Sequence, residues 1–155
     1  MKKLITLLFV SAIAVSTYAT HLMGGQIVAT NIGGYDYQIE LTAYRDTIGV
    51  PMGLVAVFNV FEQDTSGGWI SLFTSSVNYD TTSGGLMPSV ITVYGVEIYT
   101  FIDTITMPGD GYYAISWDEC CRNGAIINMS NPLSESMKLS TFLTVDSLNP
   151  NSSAS

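Results

Sequence analysis

Two cysteines stand side by side, Cys120 and Cys121, followed by Arg122 and Asn123, and the chain has no others. An ordinary disulfide holds its Cα atoms about 4.4–6.8 Å apart, whereas trans-linked neighbours lie about 3.8 Å apart. The pair is therefore two thiols, a strained vicinal disulfide, or half of a pattern whose partners lie elsewhere. A zinc site needs about four nitrogen or sulfur ligands, and Cys120, Cys121 and His21 are all that exist. Nucleophilic catalysis fails for the same reason, because His21 is the sole histidine and lies near the N-terminus. Among the carboxylates Asp118 and Glu119 form the best pair for glycoside chemistry, yet adjacent residues on a strand diverge. Gly24-Gly25 and the other glycine pairs lack a following helix and lysine, so they read as turns rather than phosphate loops. The residue inventory points away from an enzyme and away from any metal or other cofactor.

Binding chemistry is carried by fewer residues. Trp69 and Trp117, with nine tyrosines, could supply a sugar-stacking surface, although tyrosine and tryptophan also fill strand cores. Trp117 shares parity with Tyr113 and Ile115, which predicts burial and leaves Trp69 as the candidate for a ligand. Arg45 and Arg122 sit in polar clusters at strand ends, Tyr44-Arg45-Asp46 and Cys120-Cys121-Arg122-Asn123. A guanidinium forks onto carboxylates or carbonyls, so both read as clamps, with ligand binding the alternative.

The elements that must position these groups are strands. Residues 1–19 have a basic start at Lys2 and Lys3, an apolar run from Leu4 to Val15, and small residues at Thr17 and Ala19. That is the pattern of a cleaved export signal, too short to span a bilayer comfortably. Residues 20–147 would then form the domain, and 148–155 the start of a linker or a truncated tail. Outside the signal three basic residues (Arg45, Arg122 and Lys138) face thirteen carboxylates, a net charge of −10 against −8 for the whole chain. Such a surface repels nucleic acid and anionic headgroups.

From Tyr37 to Ala43 apolar and polar residues alternate, as a half-buried strand requires. Further runs cover Gly24–Thr30, Trp69–Phe73, Val90–Tyr94, Glu97–Met107, Tyr113–Trp117 and Leu139–Val145. Leu54–Phe61 is nearly all apolar and reads as a central strand covered on both faces. Turn residues such as Gly33-Gly34, Gly67-Gly68 and Pro108-Gly109-Asp110-Gly111 separate the runs. The expected fold is all-β, an antiparallel immunoglobulin-like β-sandwich of about seven to nine strands, with a closed barrel as the alternative.

Four segments carry a resemblance. His21-Leu22-Met23-Gly24-Gly25-Gln26-Ile27 looks like an "H-hydrophobic-GGE-I" opening, and Tyr37 through Asp46 is similar to a "Y-E-I-T-L-x-x-YRDC" strand. Tyr113 to Trp117, then Cys120-Cys121-Arg122-Asn123 and Ile127-Asn128, resembles "CCRN…I-N", and Asn149 to Ser153 resembles "PNSSP". In this order they resemble the N-terminal module of large exported Bacteroidota surface proteins. Those proteins often carry PKD or other immunoglobulin-like repeats and a gliding-motility-associated domain recognised by type IX secretion.

The resemblance implies a non-catalytic, secreted or cell-surface adhesion module. Its partners would be other extracellular modules and surface glycans, and its motif residues (Arg45, Asp46, Trp117, Cys120, Cys121, Arg122 and Asn123) would be structural. Thr47 replaces the family's cysteine after "YRD", so Cys120 and Cys121 are expected as thiols or a vicinal pair, not a cross-strand bridge. The chain also stops where relatives continue. Bacteroidota attach O-glycans at Asp-Ser/Thr steps, which makes Thr47, Thr81, Thr104 and Ser147 candidates. An intact mass of natively secreted protein equal to the bare chain would exclude that modification.

Overall fold

Alternation of burial along each strand builds two faces. In β2 (Asp36–Asp46) Tyr37, Ile39, Leu41 and Ala43 are buried while Asp36, Gln38 and Glu40 are exposed. The computed structural model describes residues 21–79, 89–91, 95–149 and 151–153, the backbone alone for 89–91. Its other strands are β1 (Leu22–Gly33), β3 (Val55–Gln63), β4 (Trp69–Asn78), β5 (Ser89–Ile91), β6 (Val96–Thr106), β7 (Gly111–Glu119) and β8 (Met137–Val145). One 3-10 turn, Pro132–Ser134, interrupts the long β7–β8 connection.

The strands form two antiparallel sheets, ordered β1-β2-β6-β5 and β4-β3-β7-β8. Lettered in chain order, with β4 as C′, these are A-B-E-D and C′-C-F-G, the arrangement of immunoglobulin sandwiches. The expected sandwich is present, and two separate sheets replace the barrel alternative. Tyr113 near the start of β7 donates its hydroxyl to Gly109 O at 3.0 Å, a tyrosine corner at the β6–β7 turn. No helix among the described residues is long and apolar enough to cross a membrane.

The core lies between the sheets. Tyr37, Ile39, Leu41 and Phe101 meet Phe58, Val60, Ile115 and Trp117, all at most 2% exposed. Each large apolar side chain so buried stabilises by about 1.5–3 kcal/mol.

Two expectations change here. Leu54 to Phe61 is not covered on both faces: Ala56, Phe58 and Val60 point inward, while Val55 and Val57 are 50% and 42% exposed. β3 is central within its sheet, but among the described residues no layer covers the sheet's outer face. Gly24 and Gly25 lie within β1, as the run from Gly24 to Thr30 predicts, and not in the turn that their pairing suggests. In the C-terminal segment Ser153 N donates to Ala29 O at 2.8 Å, and the Ser153 and Ser152 hydroxyls accept from the N–H groups of Ala29 and Asn31. They occupy the open edge of β1. Of the expected Val90–Tyr94 strand, residues 92–94 lie outside the described residues.

Candidate functional site

The motif residues converge on one end of the sandwich. β2 ends where β6 begins, so Arg45 pairs in register with Glu97. Arg45 is 1% exposed, and its guanidinium donates to Glu97 Oε2, Gly49 O and, at 2.7 Å, Val50 O. It ties the crossing from β2 to β3 onto the end of β6. Each guanidinium nitrogen donates within the chain and the side chain is buried, so Arg45 presents no surface to a ligand.

The segment after β7 docks beside it. Cys121 O accepts from Leu22 N at 3.0 Å, and Asn123 N donates to Leu22 O at 2.9 Å. The Asn123 amide donates to Asp46 Oδ2 at 3.2 Å, joining the two strand-end clusters. Arg122 Nε donates to Ser136 O at 3.1 Å, holding the two ends of the β7–β8 connection together. His21 adopts φ +56°, its carbonyl accepts from Asp46 N at 3.1 Å, and Gly49 lies against its ring. Cys120 and Cys121 form a vicinal disulfide across a cis peptide. β7 ends at Glu119, so its alternation does not run on through the cysteines. Trp117, 2% exposed, fills the core beneath this end.

Asp118 and Glu119 diverge on β7. Asp118 is exposed on the outer face, opposite Lys138, while Glu119 is half-buried opposite Met137. Burial holds the Glu119 carboxyl above the usual glutamate range, with a contribution from Asp118 and against the opposing Cys120 N–H. A raised acid pKa in the folded state adds stability below the unfolded value of about 4.3 and loses it as pH rises through the folded value. Glu119→Gln is therefore expected to raise Tm by about 1–3 °C near neutral pH, the gain vanishing near pH 3. Thermal melts across that range check it, and a gain that does not depend on pH would contradict it. Among the described residues no three histidine, cysteine or carboxylate groups cluster to hold a metal ion.

The outer face of the β4-β3-β7-β8 sheet presents a different arrangement. Trp69 from β4, Tyr112 from β7 and Phe142 from β8 are 42%, 39% and 50% exposed. Their ring centroids form a triangle: 5.6 Å from Trp69 to each partner and 6.3 Å between Tyr112 and Phe142, whose planes lie 11° apart. The Trp69 indole comes within this distance of Phe142 although two strands separate β4 from β8. On the row between them, Ala114 pairs with both Phe61 and Phe142 and is small enough to leave room. Beside the rings a shallow groove of about 210 Å³ is lined by Phe61, Trp69, Ala114, Ser116, Lys138, Ser140 and Phe142. That is below the roughly 300–1,000 Å³ of pockets that enclose a whole small molecule, so the groove suits part of a longer ligand.

Sequence reading singled out Trp69 and missed Tyr112, Phe142 and Lys138. Parity held the signal, since Tyr112 alternates with the buried Tyr113 and Phe142 lies between the buried Thr141 and Leu143. Of the glycosylation candidates, Thr47, Thr104 and Ser147 are exposed, and Thr81 lies outside the described residues. Comparisons with protein-family models, curated proteins and solved structures find no match to this chain.

Proposed function

We propose that this chain is a non-catalytic binding module of an exported surface or secreted protein, and that it adheres to extracellular glycans through the Trp69–Tyr112–Phe142 platform. The observation that carries the reading is three clustered, solvent-exposed rings on an open sheet face. The apolar C–H face of a pyranose packs against an aromatic face, while its hydroxyls remain free for polar neighbours. Ser116 and Ser140 on the groove floor supply hydroxyl groups beside the rings. Isolated exposed apolar residues need no explanation, but a contiguous patch rimmed by polar groups marks an interaction site.

A glycan array followed by tryptophan fluorescence titration tests it. Trp69→Ala is expected to weaken sugar binding at least tenfold, the effect of losing a central aromatic anchor, while costing at most about 1 kcal/mol of stability. Absence of binding to every glycan, or binding untouched by Trp69→Ala, would sink the platform.

A purely structural module is the second reading, favoured by a specific observation. Arg45, Asp46, Arg122 and Asn123 are all engaged in bonds within one end of the domain, as expected of a part that keeps its shape between neighbouring modules. On either reading export rests on the signal pattern of residues 1–19, and the surface location and the link to gliding-motility proteins rest on the motif resemblance.

A further inference from the structure

We infer that the groove beside the aromatic platform takes a carboxylate-bearing sugar, with Lys138 as the group that recognises the acid. This rests on the glycan-binding reading above. Lys138 is the only lysine among the described residues, and it lines the same groove as Trp69 and Phe142. The two arginines among the described residues do not line this groove: Arg45 is held in its buried clamp, and Arg122 donates its Nε to Ser136 O. The Lys138 ammonium makes no ion pair or hydrogen bond among the described residues, although Asp118 lies across from it in register. A free ammonium on a chain of net charge −8 is a local positive point on an otherwise acidic surface.

Spacing suits one ligand touching both features. Lys138, Ser140 and Phe142 alternate outward on β8, so the Cα atoms of Lys138 and Phe142 are roughly 13 Å apart. A lysine side chain extends about half that distance. A sugar ring stacked at Phe142 would therefore present its own carboxylate, or that of the adjoining residue, to the ammonium across Ser140. The acidic remainder of the surface works against polyanions in general. Affinity for an acidic sugar must then come from this one contact, which makes it separable by a single substitution.

Matched oligosaccharides test the assignment: oligogalacturonate against its methyl ester, with glucuronate and mannuronate oligomers and their esters, titrated calorimetrically against wild type, Lys138→Gln and Trp69→Ala. At least one acid form is expected to bind about five- to tenfold more tightly than its ester. Lys138→Gln should leave ester binding unchanged and make the acid form the weaker ligand, because only the general repulsion remains. Equal binding of acid and ester by wild type, or a preference that survives Lys138→Gln, overturns Lys138 as the reader while leaving the platform standing. Tighter binding of a sulfated oligomer than of any uronate overturns the carboxylate assignment. Failure of every sugar, acid or ester, overturns both.

Discussion

Arg45→Met is expected to destabilise the domain by about 3–5 kcal/mol, a large part of the 5–15 kcal/mol that a typical domain possesses. Arg45 is 1% exposed and satisfies Glu97 together with the carbonyls of Gly49 and Val50. Removing the guanidinium leaves a carboxylate that is 21% exposed on its side chain with only the Tyr99 hydroxyl at 3.3 Å, and two loop carbonyls without the guanidinium donor. The cost is therefore that of uncompensated polar groups, which exceeds the net worth of the ion pair itself. Arg45→Lys should recover only part of the loss, since a single ammonium cannot span three acceptors on different segments. Adding Glu97→Gln to Arg45→Met should return part of the stability by removing the stranded charge. Denaturant titration of the three variants checks this, and a midpoint unchanged in Arg45→Met would show that the clamp contributes nothing.

Gly25→Ala is expected to cost about 2–3 kcal/mol, whereas Gly24→Ala should stay within about 0.5 kcal/mol. A methyl group on Gly25 would lie 2.5 Å from Thr42 O, 2.8 Å from Leu139 Cδ1 and 3.3 Å from Ala43 Cα. Thr42 and Ala43 belong to the paired strand β2 and offer backbone atoms, which cannot swing aside as the Leu139 side chain can. At Gly24 the nearest atom is Tyr44 Cδ2 at 4.0 Å, an ordinary contact. Adjacent glycines in one motif thus carry opposite requirements. The first tolerates a side chain, and the second is needed because the backbone of the paired strand β2 lies unusually close to it while Leu139 of β8 closes from the other sheet. Comparable losses at both positions, read by thermal melts, would refute the packing account.

Much of the fold is legible along the chain because strand alternation is a local property. The buried and exposed residues of β2 follow the period of two that Tyr37 to Ala43 display in sequence, and the parity of Trp117 with Tyr113 and Ile115 leads directly to its burial. The pattern misleads where composition stands in for environment. Leu54 to Phe61 is apolar on both parities, and nothing in those residues reveals that Val55 and Val57 on the outer sheet face stay exposed. Gly24-Gly25 likewise has the composition of a turn, while close approach of two strands explains its second glycine.

The candidate site divides along the same line. Residue types show that a catalytic triad would have to recruit the single His21 and that a zinc centre could draw at most three nitrogen or sulfur ligands from the chain. They also single out Trp69 as an aromatic outside the core pattern. Partner choice is another matter: Trp69, Tyr112 and Phe142 are 43 and 30 residues apart in the chain and meet through the register of four adjacent strands. The same register places Lys138 in their groove and Arg45 opposite Glu97. Chemistry of the inventory and the facing of each strand are short-range and can be read from neighbours in sequence. Which of those faces share a surface depends on long-range pairing, where a slip of one residue would send every one of these side chains to the opposite side.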